Sequence, residues 1–197
     1  MAEPSDAGHQ RIVLVRHGQT EWSASGQHTG KADIPLTDVG RAQAAALGPT
    51  LGRYQFARIL TSPRLRAMDT CRLALPGLAA EVDPDLEEWD YGDYEGMTSA
   101  QIREAVPGWT VWTHPSPGGE SATDVAKRAD AVLTRCRTID GEVLLVAHGH
   151  LLRVLAARWL ELDPSCGRLF LLDPGTLSVL GHDREVAALA SWNAPPA

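Results

Sequence analysis

Arg16 and His17 stand together at the end of a short apolar run, Ile12-Val13-Leu14-Val15, with Gly18 behind them. An imidazole beside a fixed guanidinium suits attack on, or binding of, an anionic centre. A lone histidine after a strand is more often structural, so the pair gains weight only because the pattern recurs. The stretch 142–149, EVLLVAHG, is a second apolar run that ends in His148-Gly149. Another arginine, Arg66, follows Ser62-Pro63, a pair of the kind that opens helices. Two guanidinium forks and two imidazoles at one focus would suit the planar, bidentate recognition of phosphate oxygens. The acid-rich stretch 82–96 adds several carboxyl groups, one of which could act as general acid and base. Residue type alone does not select it, and such a run is commonly a solvated face.

The elements that must position these groups are legible from pattern. Unbroken β-branched runs at 12–15 and 143–146 read as strands buried on both faces. In open α/β sheets the ligand crevice lies beyond the carboxyl ends of such strands, where both histidines would emerge. Residues 21–35 read as a loop and 57–61 as a strand. Thr37 reads as the cap of a helix through Leu51 that Pro49 should kink or split. Ser62 should cap the next helix, which places Arg66 about one turn inside it. A short helix is expected from Thr98, longer ones over 121–138 and 150–160, and a closing hairpin from 177–180 and 185–189. Strands alternating with helices imply an α/β fold, a three-layer α/β/α sandwich with a mostly parallel central sheet. Residues 1–10 read as a mobile arm, 11–192 as a single domain and 193–197 as a tail.

Composition narrows the partners. A chain of 197 residues with 44% hydrophobic and 22% charged residues is ordinary for a globular protein of one domain. The net charge of -7 argues against a general nucleic-acid or anionic-membrane surface, so a bound anion must meet a local cluster of cations. Three widely spaced cysteines without a CxxC pair suit free thiols in a reducing compartment. No signal-peptide core or membrane span is apparent, and the expected location is the cytoplasm. His148 and His150 near a carboxylate raise the question of zinc, but two arginines at the same focus make a dication site electrostatically poor. No metal and no cofactor are expected.

The ordered set Leu14-Val15-Arg16-His17-Gly18-Gln19-Thr20, Thr61-Ser62-Pro63 with Arg66-Ala67, Leu86-Glu87-Glu88 with Tyr91-Gly92 and Glu95-Gly96, and His148-Gly149 with Arg153 resembles the histidine phosphatase (phosphoglycerate mutase-like) superfamily. The likeness covers roughly residues 11–180. It implies His17 as a nucleophile that becomes phosphohistidine, with Arg16, Arg66, His148 and Gly149 at the phosphoryl group. It selects Glu88 as the acid and base, with Glu87 as the fallback. Thr20 either donates to the phosphate or stabilises the turn. Thr29, Gly30, Tyr91 and His150 are the expected substrate contacts. Trp89, Trp109 and Trp112 either join Tyr91 around the leaving group or pack the core.

Within that superfamily, the mutases carry a longer segment with a pair of arginines between the acid and the second histidine. Here residues 107–121, PGWTVWTHPSPGGES, are short and hold none. Trp22-Ser23 and His150 also stand where the mutases have asparagine after the tryptophan and after His-Gly. The loop 23–30 and the acid turn 88–92 look more like the small phosphatase branch, including broad-specificity acid phosphatases and sedoheptulose bisphosphatase-like enzymes. The expected activity is hydrolysis of small phosphorylated metabolites such as sugar phosphates; the alternative is a cofactor-dependent phosphoglycerate mutase. A homodimer through an edge strand is compatible with the sequence, which does not demonstrate one.

Overall fold

The computed structural model describes residues 10–196. The arm expected over residues 1–10 lies, apart from Gln10, outside the described residues. Gln10 itself is tied down, its side-chain amide donating to the Ile139 carbonyl at 2.8 Å.

Among the described residues six strands form one sheet in the order β3-β2-β4-β1-β5-β6: β1 (Ile12–Arg16), β2 (Phe56–Thr61), β3 (Glu81–Val82), β4 (Glu142–Ala147), β5 (Leu177–Asp183) and β6 (Val186–Ala194). The pairs β3/β2, β2/β4 and β4/β1 are parallel, while β5 and β6 close the sheet as an antiparallel hairpin. The helices are α1 (Glu21–Ser25), α2 (Asp38–Leu51), α3 (Leu65–Ala74), α4 (Ser99–Ala105), α5 (Ala122–Arg137) and α6 (Gly149–Trp159). Alternation along β1 explains its unbroken apolar run. Ile12 and Leu14 enter one core with α5 and α6, and Val13 and Val15 enter the other with α2 and α3.

Register positions the site. Arg16 lies opposite Ala147 across the β1/β4 pair, so His17 and His148 leave adjacent strands side by side. Thr61 pairs with Val146 on the other side of β4, which sets Ser62 beside His148.

Four local expectations differ from the structure. Residues 21–25 form a helix, not a loop, because Thr20 and Ser23 make a reciprocal capping box. Helix α2 runs through Pro49 unsplit, since in the last turn the absent amide would serve only the Ala45 carbonyl. Helix α3 starts at Leu65 rather than after Ser62, because Asp33 Oδ1 accepts the Leu65 amide at 3.0 Å and replaces a serine cap. Arg66 is therefore the second helical residue. Strand β6 reaches Ala194, and Asn193 exchanges hydrogen bonds with Asp173, so the start of the expected tail belongs to the sheet.

Helix α2 crosses the His17 turn in backbone contact. A Cβ on Gly18 would lie 2.3 Å from the Gly40 carbonyl oxygen, and one on Gly40 would lie 2.0 Å from that of Gln19. Neither clash can be relieved by a rotamer change. Gly40→Ala should lower stability by about 2–3 kcal/mol, seen as a drop in Tm, and a Tm equal to that of the parent would contradict the close approach.

Candidate active site

His17 is buried at 4% exposure, with Nδ1 2.7 Å from the carbonyl oxygen of Gly18. A carbonyl accepts only, so Nδ1 carries the proton and Nε2 keeps its lone pair. Burial first, then the Arg66 and Arg16 guanidiniums, push the ring well below the ordinary histidine pKa. A neutral ring with a fixed tautomer is what nucleophilic attack by imidazole requires.

Behind it lies His148, fully buried, its ring centroid 5.1 Å from that of His17. Arg66 Nε donates to His148 Nδ1 at 3.2 Å, which puts the His148 proton on Nε2, 2.7 Å from Ser62 Oγ. The rest of the Arg66 fork holds the preceding loop, donating to the carbonyls of Ala32 (2.8 Å), Thr29 (3.0 Å) and Gly30 (2.9 Å). Arg66 is thus a buried cation at the focus whose fork is largely committed. Arg16 differs. One nitrogen reaches the Leu172 carbonyl, but among the described residues its buried Nε has no partner, and its guanidinium lies against the backbone of Gly149. A Cβ at position 149 would come within 3.2 Å of Arg16 Cζ and Nε. An unmet guanidinium donor beside a helix N-terminus is a seat for an anion's oxygens.

Glu88 reaches the same focus from the acid loop and is buried. Its Oε1 accepts the amides of Trp89 and Leu151, both at 2.9 Å, and Oε2 accepts that of His150 at 3.0 Å. The carboxylate therefore caps α6, whose own N-cap residue His148 offers no side-chain cap. Glu87 stands apart from the cleft, its Oε1 2.8 Å from Arg64 Nη2. The loop is braced by Arg128, which donates to the carbonyls of Asp85 (2.9 Å) and Glu87 (3.0 Å) and forms a two-point pair with Glu120. Glu120 in turn accepts the Asp90 amide at 2.9 Å.

A cleft of about 160 Å³ is lined by Arg16, His17, Thr29, Glu88, Tyr91, Gly149 and His150, with Ser23, Gly26, Gln27, His28 and Arg153, while the expected phosphate contacts Arg66 and His148 lie fully buried behind its wall. Tyr91 Oη lies 2.6 Å from His150 Nδ1 and fixes that ring's orientation. Thr20 and Gly30, also expected as contacts, are likewise absent from the lining. Thr20 Oγ1 accepts the Ser23 amide at 3.1 Å as the cap of α1, the turn-stabilising option. Gly30 lies behind the wall, its amide 2.8 Å from Glu95 Oε1, and it must be glycine because a Cβ would meet Glu95 and the Trp89 carbonyl at 2.7 Å. Trp89 and Trp109 are core residues. Trp112 supports Arg153, 4.7 Å from its ring centre, and His150, ring to ring at 5.2 Å. His28 and Arg153 went unselected in the sequence as contacts. Arg153 had a signal, since four residues past Gly149 is the same face of α6; His28 had none.

The cleft keeps its imidazoles neutral. Burial is the largest cause in each case: it lowers His28 to about 4 and holds His148 and His150 well below the usual range. In the unfolded chain these rings, and His17, take up protons below about pH 6.5. The folded protein does not, so stability should be present above that pH and fall as pH drops from about 6.5 toward 4. Tm measured across this window should decline, and a flat Tm would contradict the burial of neutral rings.

The sequence profile described as histidine phosphatase superfamily (branch 1) matches residues 12–195. An acid phosphatase of Mycobacterium tuberculosis is 42% identical over 187 residues, covering 92% of this chain and 91% of that protein. The sedoheptulose 1,7-bisphosphatase of Saccharomyces cerevisiae is 38% identical over 184 residues, 77% of this chain and 68% of its own. The solved structure of a Mycobacterium tuberculosis open reading frame superimposes with a TM-score of 0.90 at 40% identity, covering 95% of this chain and 99% of that one.

Proposed function

The chain belongs to the histidine phosphatase superfamily (branch 1) and is a phosphatase, and we propose that it hydrolyses small phosphate monoesters, sugar phosphates among them, through a phosphohistidine on His17. The observation that carries this reading is the His17 Nδ1 contact with the Gly18 carbonyl, which leaves Nε2 as the free base beside Arg16. The similarity to a sedoheptulose 1,7-bisphosphatase supports sugar phosphates as the substrate class.

In the first step Nε2 attacks phosphorus in line, the P–O ester bond breaks, and the leaving oxygen takes a proton from Glu88. In the second, the Glu88 carboxylate removes a proton from water, the water oxygen attacks phosphorus, and the P–N bond breaks to release phosphate and neutral His17. Arg16 meets the phosphoryl oxygens with its unpartnered Nε and the Gly149 backbone at its side. Arg66 and His148 supply charge and orientation from behind, and Tyr91 and His150 face the leaving group.

Among the described residues no helix is long and apolar enough to cross a membrane. We extend the reading to a single domain from residue 11 through the end of β6 at Ala194, working in the cytoplasm, which fractionation and limited proteolysis would test.

Supplied with 3-phosphoglycerate and a trace of 2,3-bisphosphoglycerate, the protein should release free phosphate and form no 2-phosphoglycerate. Isomerisation without net phosphate release would overturn the phosphatase reading in favour of a mutase.

A further inference from the structure

Gln43, on helix α2, takes no part in the two hydrolytic steps, and we infer that it is a positioning residue that fixes the His17 tautomer through one shared peptide unit. This role rests on the phosphatase reading, with His17 as the nucleophile, and adds what holds the ring in its reactive form.

The carbonyl that accepts the His17 Nδ1 proton belongs to the peptide joining Gly18 to Gln19. The amide of that same peptide, the Gln19 N–H, donates to Gln43 Oε1 at 2.8 Å. A trans peptide is planar, with its N–H and C=O aimed in opposite directions, so Gln43 and the imidazole grip opposite edges of one rigid plate. A turn of that plate would break both bonds together. The bond to Gln43 also polarises the carbonyl at the far edge, because hydrogen bonds in a chain strengthen one another. A better acceptor opposite Nδ1 holds the proton there and keeps Nε2 unprotonated.

Gln43 itself is held in place. Thr37, Gly40 and Gln43 are spaced by three along α2 and share the face that meets the His17 turn. The Thr37 amide donates to the Gln19 carbonyl at 2.9 Å, and Gly40 lies in backbone contact with Gln19. Gly175 covers the Gln43 stem so closely that a Cβ there would come within 2.7 Å of Gln43 Cβ, and the Gly175 amide lies 3.1 Å from the carbonyl oxygens of Arg16 and His17. On the other side of Gly18, its own amide donates to Thr70 Oγ1 at 3.1 Å. The glutamine is half-buried, and its oxygen accepts from the one amide that backs the nucleophile's acceptor.

The competing explanation is that Gln43 only ties α2 to the turn after β1. Its loss would then lower stability and leave the His17 tautomer as it was. The tautomer is read at neutral pH from ¹⁵N NMR of the His17 ring, identified by the signals that vanish in His17→Ala. It is recorded beside kcat and KM for p-nitrophenyl phosphate in the parent, Gln43→Met and Gln43→Glu. The parent should show Nδ1 protonated and Nε2 bare. Gln43→Met, similar in size but without the oxygen acceptor, should show mixed tautomers and a kcat lower by roughly 10-fold with KM little changed. Gln43→Glu, which restores an oxygen acceptor for the Gln19 amide, should return the single tautomer and most of the rate. A single Nδ1-protonated tautomer or an undiminished kcat in Gln43→Met overturns the inference, as does a mixture in the parent. Parent protein that hydrolyses no phosphate ester defeats the phosphatase reading instead, and the tautomer in Gln43→Met then still decides what Gln43 does. If Gln43→Met does not fold, the parent decides: a scalar coupling from the Gln19 amide to the Gln43 side-chain carbonyl should accompany the single tautomer, and its absence overturns the link.

Discussion

His17→Ala should reduce kcat on any phosphate ester by at least ~10⁴-fold while leaving the fold intact. Among the described residues the imidazole makes no hydrogen bond other than the one to its neighbour's carbonyl, so its removal strands no distant partner there. The small void it leaves abuts His148, which remains fixed by Arg66 and Ser62. Tm should therefore change little compared with the loss of rate. Steady-state assay with p-nitrophenyl phosphate beside a melting curve checks both halves, and residual turnover within tenfold of the parent would remove His17 from the chemistry.

Glu88→Gln should separate the two chemical roles of the carboxyl group. With an alkyl phosphate, whose leaving oxygen needs a proton, turnover should fall at least ~10²-fold. With p-nitrophenyl phosphate, whose leaving group departs as an anion, phosphorylation of His17 should persist while water attack slows, so the phosphoenzyme accumulates. The substitution also has a structural consequence that must be read alongside. The amide oxygen can keep the place of Oε1 and its two backbone donors, but the NH₂ then faces the His150 amide, and two donors meet. That loss at the start of α6 should lower Tm by on the order of 5 °C. Near-normal turnover of both substrates would reject the assignment. Slowing of both with no accumulation of phosphoenzyme from p-nitrophenyl phosphate would assign Glu88 to capping α6 alone.

The strands and the convergence of His17 with His148 could be read before any coordinates, because apolar runs of β-branched residues admit few placements and both end in His-Gly. What pattern could not supply was committed by long-range partners. The start of α3 shifted because Asp33, distant in sequence, took the Leu65 amide, while the Ser62 hydroxyl accepts the Arg64 amide and meets His148. Thr20, open between phosphate and turn, is fixed by a serine three residues on. Gly30 carries backbone groups to Arg66 and Glu95, which a side-chain reading of the loop has no means to foresee. Glu87 and Glu88 are chemically identical in the sequence and are told apart only by what faces them, Arg64 for one and the α6 amides for the other. The acceptor that sets the His17 tautomer is a backbone carbonyl one residue along, invisible to any motif.

The central claim is tested most directly by mixing the protein with a ³²P-labelled good substrate, quenching on the millisecond scale into alkali, and mapping the label by peptide. A phosphoramidate, stable to base and labile to acid, should appear on the peptide containing His17 before the steady state and vanish in His17→Ala. Label absent at every time point while product forms, or label carried by a different residue, would contradict the account.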